Sequence, residues 1–387
     1  MSNMMRRSAG LVSAVMLLLG CAGRSAKPAV ARGDFPYRAN AQRTGAYDTE
    51  GPRKVTDTVV FFTKPGKLGF GVGFASPVVA GEVAYFAAAD SYLYALDLKR
   101  QRELWRYKTG TLGSGCTPAV FDGVVYFGSD DSVLRALDAV TGTERWRFRT
   151  GAGVMSSPVV ESSLVLFGSD DGNLYALDVR TGAERWRYAT RGAVRSAPAV
   201  AKRVIYFGSF DSCMYAVDLD TRQTRWKFKM GGLTEATPAV AGGMVYFGSV
   251  DKYIYALDAG SGQQRWSFRT DSVVSAGAAV AGGVVYCGGW DGSLYALDAE
   301  TGSERWRFKT PGVIWGAPSV AGRTLYFGSQ DNCLYALDVE TGQELWKYKT
   351  GAFAVFCSPV IAAGTVYFGH LSCSAPGMKP GALIGLR

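Results

Sequence analysis

The sequence predicts an all-β protein, an eight-bladed β-propeller of four-stranded blades. A tryptophan period, a recurring set of turn residues and two complementary partial repeats at the chain ends all point to it. Seven tryptophans, Trp105, Trp146, Trp186, Trp226, Trp266, Trp306 and Trp346, stand 41, 40, 40, 40, 40 and 40 residues apart. A fixed period of that length marks one supersecondary unit copied around or along an axis. Within each period come four short β-type runs parted by turn residues, as in Thr117–Val120, Val124–Ser129, Leu134–Asp138 and Arg145–Phe148. Four such runs make a propeller blade.

The turns justify the elements in order. Asp122-Gly123, Gly242-Gly243 and Gly282-Gly283 join a first strand to a second, because tight hairpins need positive φ where glycine alone is free of strain. Asp171-Gly172 and Asp291-Gly292 join the second to the third. The third turn reads Asp-x-x-Thr-Gly at Asp138–Gly142, Asp178–Gly182, Asp298–Gly302 and Asp338–Gly342, where an aspartate side chain can bind the turn backbone. Proline recurs at the start of the first strand, at Pro77, Pro118, Pro158, Pro198, Pro238, Pro318 and Pro359. Lacking an N–H, it marks a strand with a free edge, which in a propeller is the innermost one, facing the channel.

Blade number follows from the chain ends. Eight Tyr-Phe-Gly runs stand against seven tryptophans, counting Tyr85-Phe86-Ala87, Leu166-Phe167-Gly168 and Tyr286-Cys287-Gly288 as variants. The eighth, Tyr367-Phe368-Gly369, is followed by Leu383–Leu386 as a third strand with no fourth downstream. Upstream, Val59–Thr63 matches Trp146–Thr150, with Val59 in the tryptophan place. An N-terminal strand completing the C-terminal blade closes the ring and removes open sheet edges. The expected organisation is a signal peptide over 1–20, a lipidated tether over 21–57 and the propeller over 58–387.

The run Ala136-Leu137-Asp138-x-x-Thr141-Gly142-x-x-x-Trp146 resembles the signature of the pyrroloquinoline-quinone-type propeller repeat, over residues 58–387. Two groups share that repeat: the quinoprotein dehydrogenases and the BamB-type outer-membrane lipoproteins. The layout, a lipoprotein leader followed by one bare propeller, is similar to the second group. That resemblance implies a non-catalytic cell-envelope scaffold of outer-membrane β-barrel assembly, with protein partners in the envelope and without a cofactor. The alternative it leaves is a small-ligand or quinone-cofactor-binding propeller, a degenerate quinoprotein. BamB-type proteins grip the barrel subunit with extended interblade loops, and these uniform repeats carry no such insertion.

The leader reads directly. Arg6 and Arg7 precede an apolar stretch, Leu11–Leu19, too short to cross a bilayer as a mature helix. It ends Leu18-Leu19-Gly20-Cys21, which resembles a lipobox with Cys21 as the lipidated residue. Ala22 after it resembles outer-membrane sorting, so the expected location is the outer membrane, lipid-anchored and facing the periplasm. In the tether, Asp34-Phe35-Pro36 and Gln42–Gly45 are candidates to pack on the propeller.

At 387 residues and 48% hydrophobic, the chain can bury a substantial core. Removing residues 1–20 lowers the net charge from +9 to +7. Much of the positive charge lies on the fourth strands, at Arg145, Arg147, Arg149, Arg185, Arg187, Arg305, Arg307 and Lys309. Lysine and arginine on an outer edge block edge-to-edge pairing; a basic belt attracting acidic lipids or partners is the other reading. No patch interleaves aromatic and basic residues as a nucleic-acid site would, and a monomer is expected. Cys213 with Cys333, and Cys116 with Cys357, fall on blades too far apart to bridge; Cys333 with Cys373, on neighbouring blades, is the one disulfide the layout allows. A single histidine, His370, excludes a multi-histidine metal site. No adjacent cysteine pair and no insertion that would roof a cofactor occur, so no catalytic residue and no metal ligand is assigned.

Function is expected where the repeats disagree. The loops entering first strands share a face with the hairpins between second and third strands. The opposite face carries the uniform Asp-x-x-Thr-Gly turns. The variable loop position holds Phe74, Gly115, Met155, Arg195, Glu235, Ser275, Trp315 and Phe356; the variable hairpin position holds Ala89, Asp130, Asp170, Phe210, Val250, Trp290, Gln330 and Leu371. Trp290 and Trp315, the two tryptophans outside the period, both fall on this face, and rim aromatics are typical binding anchors. The candidate set is Trp290, Trp315, Phe356, Phe74, Phe210, Met155, Arg195 and Glu235. Packing over the channel mouth is the competing role for the aromatics, and an ion pair with each other for Arg195 and Glu235.

Overall fold

The computed structural model describes residues 34–35, 45–64, 75–88, 90–109, 116–351, 354–370 and 381–387. Every regular element among them is a β-strand, and the strands form eight sheets. Blade 1 consists of Val78–Ala80, Val83–Ala88, Tyr92–Asp97 and Arg102–Lys108, each antiparallel to the next. Blades 2 to 7 repeat that order. Blade 8 takes Val360–Ala362, Thr365–His370 and Gly381–Leu386 from the C-terminus, and Thr58–Lys64 from the N-terminal side as its fourth strand.

The closing strand differs in one detail from simple register matching. Val59 pairs with Gly385 in the tryptophan place, but the register shifts between Val60 and Phe62. Phe61 is the extra residue of this bulge. Its ring, 7% exposed, lies 5.7 Å from Tyr367, the spacing that Trp146 keeps from Tyr126. A bulge re-aims a side chain, and here it lets a phenylalanine fill the site of the missing tryptophan. Gly385 is obligatory beneath it, because a Cβ there would lie 2.7 Å from the Phe61 ring.

The cores lie between blades. Each apolar cluster draws on two neighbouring sheets, as where Val159, Leu166 and Trp186 of blade 3 pack on Ile205, Phe207 and Tyr215 of blade 4. The periodic tryptophan is the outer joint of these interfaces. Trp105 donates from Nε1 to the Ala139 carbonyl of the next blade at 3.1 Å, and the Tyr85 hydroxyl donates to the same oxygen at 3.0 Å. Gly142, at φ +72°, lies under the indole, where a Cβ would come within 2.6 Å. The tryptophan and the turn glycine recur together because each shapes the other's space.

Blade 8 has no Asp-x-x-Thr-Gly turn to offer blade 7. The Pro52 carbonyl takes its place, accepting from Tyr326 at 3.0 Å and Trp346 at 3.1 Å. Hydroxyls link the inner wall from blade 8 round to blade 3: Ser358 N–H donates to Ser76 Oγ, Ser76 N–H to Thr117 Oγ1 and Thr117 N–H to Ser157 Oγ. The five cysteines among the described residues, Cys116, Cys213, Cys287, Cys333 and Cys357, are buried and form no bridge with one another, while Cys373 lies outside the described residues. Burial pushes the Cys357 thiol up to about 12.

Two short N-terminal strands sit on innermost edges. Asp34–Phe35 pairs antiparallel with the first strand of blade 2, and Ala46–Tyr47 pairs parallel with the first strand of blade 7. The proline-bearing inner edges are therefore open to pairing, and in these two blades the chain itself occupies them.

Candidate functional site

First strands run from the variable face towards the turn face, so the loops that enter them and the hairpins of the same blades meet around the channel mouth. A simple offset governs the contacts. A loop residue touches the hairpin residue 25 positions earlier, in the preceding blade, and the one 15 positions later, in its own.

At blades 6 to 8 this offset assembles an aromatic cluster. The rings of Trp290 and Trp315 lie 4.4 Å apart, and Phe356 meets Trp315 edge-on at 6.0 Å. Trp290 Nε1 donates to Ser275 Oγ at 2.8 Å, which fixes the indole. Trp290 and Trp315 keep 36% and 37% of their surface exposed and are the only aromatic side chains of that exposure among the described residues. Stacked rings with one open side offer apolar area at little conformational cost.

At blades 3 and 4 the same offset builds a guanidinium clamp. Arg195 donates from Nε to Asp170 Oδ1 at 2.8 Å and from Nη2 to Oδ2 at 2.9 Å, and its guanidinium lies 5.1 Å from the centre of the Phe210 ring. The competing role for Arg195 and Glu235, an ion pair with each other, is not what the structure builds: Arg195 is paired with Asp170, in the preceding blade. Glu235 is half-buried, and burial raises its carboxyl above the ordinary value, with Arg195 pulling weakly the other way. Its own offsets lead to Phe210 and Val250, both apolar.

Met155 is half-buried at the loop position of blade 3. Cys21 and Phe74 lie outside the described residues, as do Ala89, Gly115 and Leu371. Asp170 and Ser275, which hold Arg195 and Trp290, stand among the variable positions but not in the candidate set, because comparing equal positions between blades does not show which of them touch. The informative spacings are 25 and 15 residues.

The turn face is built differently. Asp138 Oδ1 accepts from the backbone of Val140 at 3.0 Å and of Thr141 at 2.8 Å, while Oδ2 accepts from Arg145 at 2.8 Å. Burial opposes ionisation there, but the Arg145 guanidinium and the turn donors draw the carboxyl down to about 2. Asp178, Asp258 and Asp298 repeat this with Arg185, Arg265 and Arg305. Arg147, Arg187 and Arg307 pair with Glu144, Glu184 and Glu304. Most of the outer-edge arginines thus carry their own acids, which removes much of the charge from a basic belt.

Among the described residues no group of three or more histidine, cysteine, aspartate or glutamate side chains is placed to hold a metal ion. His370 is 3% exposed.

Three comparisons place the chain among known proteins. The family model described as outer membrane protein assembly factor BamB matches residues 67–268 and 250–380. BamB from Moraxella catarrhalis is similar in structure, with TM-score 0.67 and 19% identity over 86% of this chain and 97% of that one. The quinohemoprotein alcohol dehydrogenase from Comamonas testosteroni gives TM-score 0.75 and 15% identity over 91% and 80%. A computationally designed protein, Ika8, gives 0.71 and 18% over 84% and 99%. At these identities the structural likenesses establish the propeller alone. No curated protein sequence matches the chain significantly. With most of its length covered by that one model, the chain belongs to the family of the outer membrane protein assembly factor BamB.

Proposed function

We propose that this protein is a non-catalytic scaffold of the cell envelope, lipid-anchored at Cys21 and facing the periplasm from the outer membrane. In this reading it holds protein partners of β-barrel assembly on its variable face. The exposed Trp290–Trp315 pair carries the proposal: it is the one open aromatic surface of the described propeller, and buried interface anchors are characteristically such rings. Family membership supports the partner class. Against a ligand in the axial channel stands the chain's own Asp34–Phe35 and Ala46–Tyr47, which already pair with channel edges.

A photoreactive residue at Gln330, on the variable face, should capture an envelope protein in intact cells. The same residue at Val140, exposed on the turn face, should not. Capture from Val140 alone would overturn the assignment of the face. Cys21→Ser should move the protein from membranes to the soluble periplasmic fraction; retention after a high-salt wash would overturn the anchor. Equilibrium dialysis with pyrroloquinoline quinone and calcium should show no uptake, and stoichiometric binding would favour the degenerate quinoprotein instead.

A further inference from the structure

The Arg195 clamp shows what this face does with a cation. A guanidinium is gripped side-on, through Nε and Nη2, by a carboxylate of one hairpin and covered by an aromatic ring of the next. Such a site recognises planar cations because the carboxylate matches the guanidinium fork and the ring attracts its face.

One sector further round stands a carboxylate, Glu235, to which no described cation is ion-paired, the nearby Arg195 being engaged by Asp170. Glu235 is the only charged residue at the loop and hairpin positions of blades 5 to 7, and the described loop position of blade 8 is Phe356. Phe210 and Val250 flank it by register, and Trp290, fixed by Ser275, begins the aromatic cluster at the next blade. The one ionic influence on Glu235 is Arg195, whose guanidinium is already bidentate to Asp170.

We propose that the arc from Glu235 to Phe356 is a docking site for an extended segment of a partner protein that presents an arginine or lysine to Glu235 and an apolar side chain to the Trp290–Trp315 cluster. This deepens the scaffold reading and rests on it. The charge of the arc selects the occupant: Glu235, the one charge at these loop and hairpin positions, attracts a cation carried on an apolar segment and repels an acidic one. Residues two apart in an extended strand share a side and advance about 7 Å, so basic and apolar side chains at every second position can face the arc together. A neutral apolar segment would leave Glu235 desolvated without compensation, which disfavours it.

Calorimetric titration of the full-length protein tests this. The probe is a capped pentapeptide, arginine-glycine-leucine-glycine-arginine, with its glutamate counterpart as the control. The arginine peptide should bind in the submillimolar range and the glutamate peptide should not. Glu235→Gln and Trp315→Ala should each weaken binding at least fivefold, whereas Val140→Ala should leave it unchanged. Because Glu235→Gln keeps the shape and removes only the charge, its melting curve separates lost recognition from lost folding. Equal binding of both peptides, or wild-type affinity in both variants, would overturn the proposal. If Gln330 captures a partner but the arginine peptide does not bind, cation recognition is wrong and the face assignment stands. If the peptide binds and capture comes only from Val140, the scaffold reading fails and the cation site stands.

Discussion

Leu386 and Leu177 occupy one register position in two blades, and they offer a measurement of how tightly the ring is closed. Leu177 lies in a continuous blade, paired with Val165 and Glu184, and is fully buried against Tyr126, Leu134 and Phe167. Leu386 lies in the composite blade, paired with Val366 and with Thr58 of the N-terminal strand, and is fully buried against Leu334, Val366 and Phe368. Truncation to alanine removes three carbons, about 2.5 kcal/mol at about 0.8 kcal/mol per buried carbon. The residual cavity carries the total towards about 5 kcal/mol where the site cannot collapse. If closure by the N-terminal strand is as firm as an internal blade, the two variants lose the same amount. For a domain of this size that is a fall of about 5–15 °C in melting temperature, measured by circular dichroism and confirmed by denaturant midpoint. A Leu386→Ala protein melting within about 2 °C of the parent, beside a fully destabilised Leu177→Ala, would refute the reasoning: the composite blade would then be a loose flap.

Other outcomes follow from single residues. Gly262→Ala places a Cβ 2.5 Å from the Trp226 ring at φ +72°, so it should cost about 2–4 kcal/mol from strain and overpacking; near-neutral behaviour in denaturant melts would deny the indole–glycine joint. Lys202 and Arg203 hold φ of +47° and +61° in the blade 4 hairpin, where asparagine and glycine fit, so Lys202→Asn with Arg203→Gly should raise the melting temperature, by about 1 kcal/mol of relieved strain. Glu235 has its folded-state pKa raised by burial, so its contribution is favourable below its ordinary value of 4.5 and is lost as pH rises through the higher folded value. Glu235→Gln should therefore stabilise the protein at pH 7 and make no difference in acid, and a variant less stable at pH 7 would contradict this. The turn aspartates work in the opposite sense: Asp138 is held down to about 2 from 3.8, so its support is present above 3.8 and disappears as pH falls towards 2. Asp138→Asn should lower stability at pH 7 and flatten part of the acid transition, which thermal melts across that range would show.

The ring was legible in the sequence because its joints are made of residues with little freedom to vary. A tryptophan stacked on a turn glycine, and an aspartate tied to its own turn, leave the same letters every forty residues. Where a joint is improvised the letters vanish. The Pro52 carbonyl serves as a blade 8 turn although nothing near it reads Asp-x-x-Thr-Gly, since any residue's carbonyl can accept a hydrogen bond. The bulge at Phe61 left no mark either, because an inserted residue in an apolar run looks like the run. The joint between blades 3 and 4 is improvised in another way: Leu166 of blade 3 stands where other blades have tyrosine, and Arg222 of the blade 4 turn, at φ +64°, stands where most turns have glycine. The variable face was legible as a list of positions. Which of them touch depends on the offset between a loop and the preceding hairpin, which equal positions do not reveal, and so nothing in the sequence singles out Asp170 rather than Glu235 as the partner of Arg195.

The seam at Pro52 also makes the propeller a mechanical element. A pull from the N-terminal side reaches first the two-residue pairing of Asp34–Phe35 on the blade 2 inner edge, then the two-residue parallel pairing of Ala46–Tyr47 on that of blade 7. It passes next to the Pro52 carbonyl held by Tyr326 and Trp346, and only then to the long pairing of Thr58–Lys64 with Gly381–Leu386. That last pairing, loaded along its length, resists in shear, with its hydrogen bonds strained together rather than one at a time. The weak inner pairings act as a fuse. Traction on the N-terminal segment frees the channel edges of blade 2 and then blade 7 before it loads the ring, and so exposes unpaired strands inside the propeller while every blade remains closed.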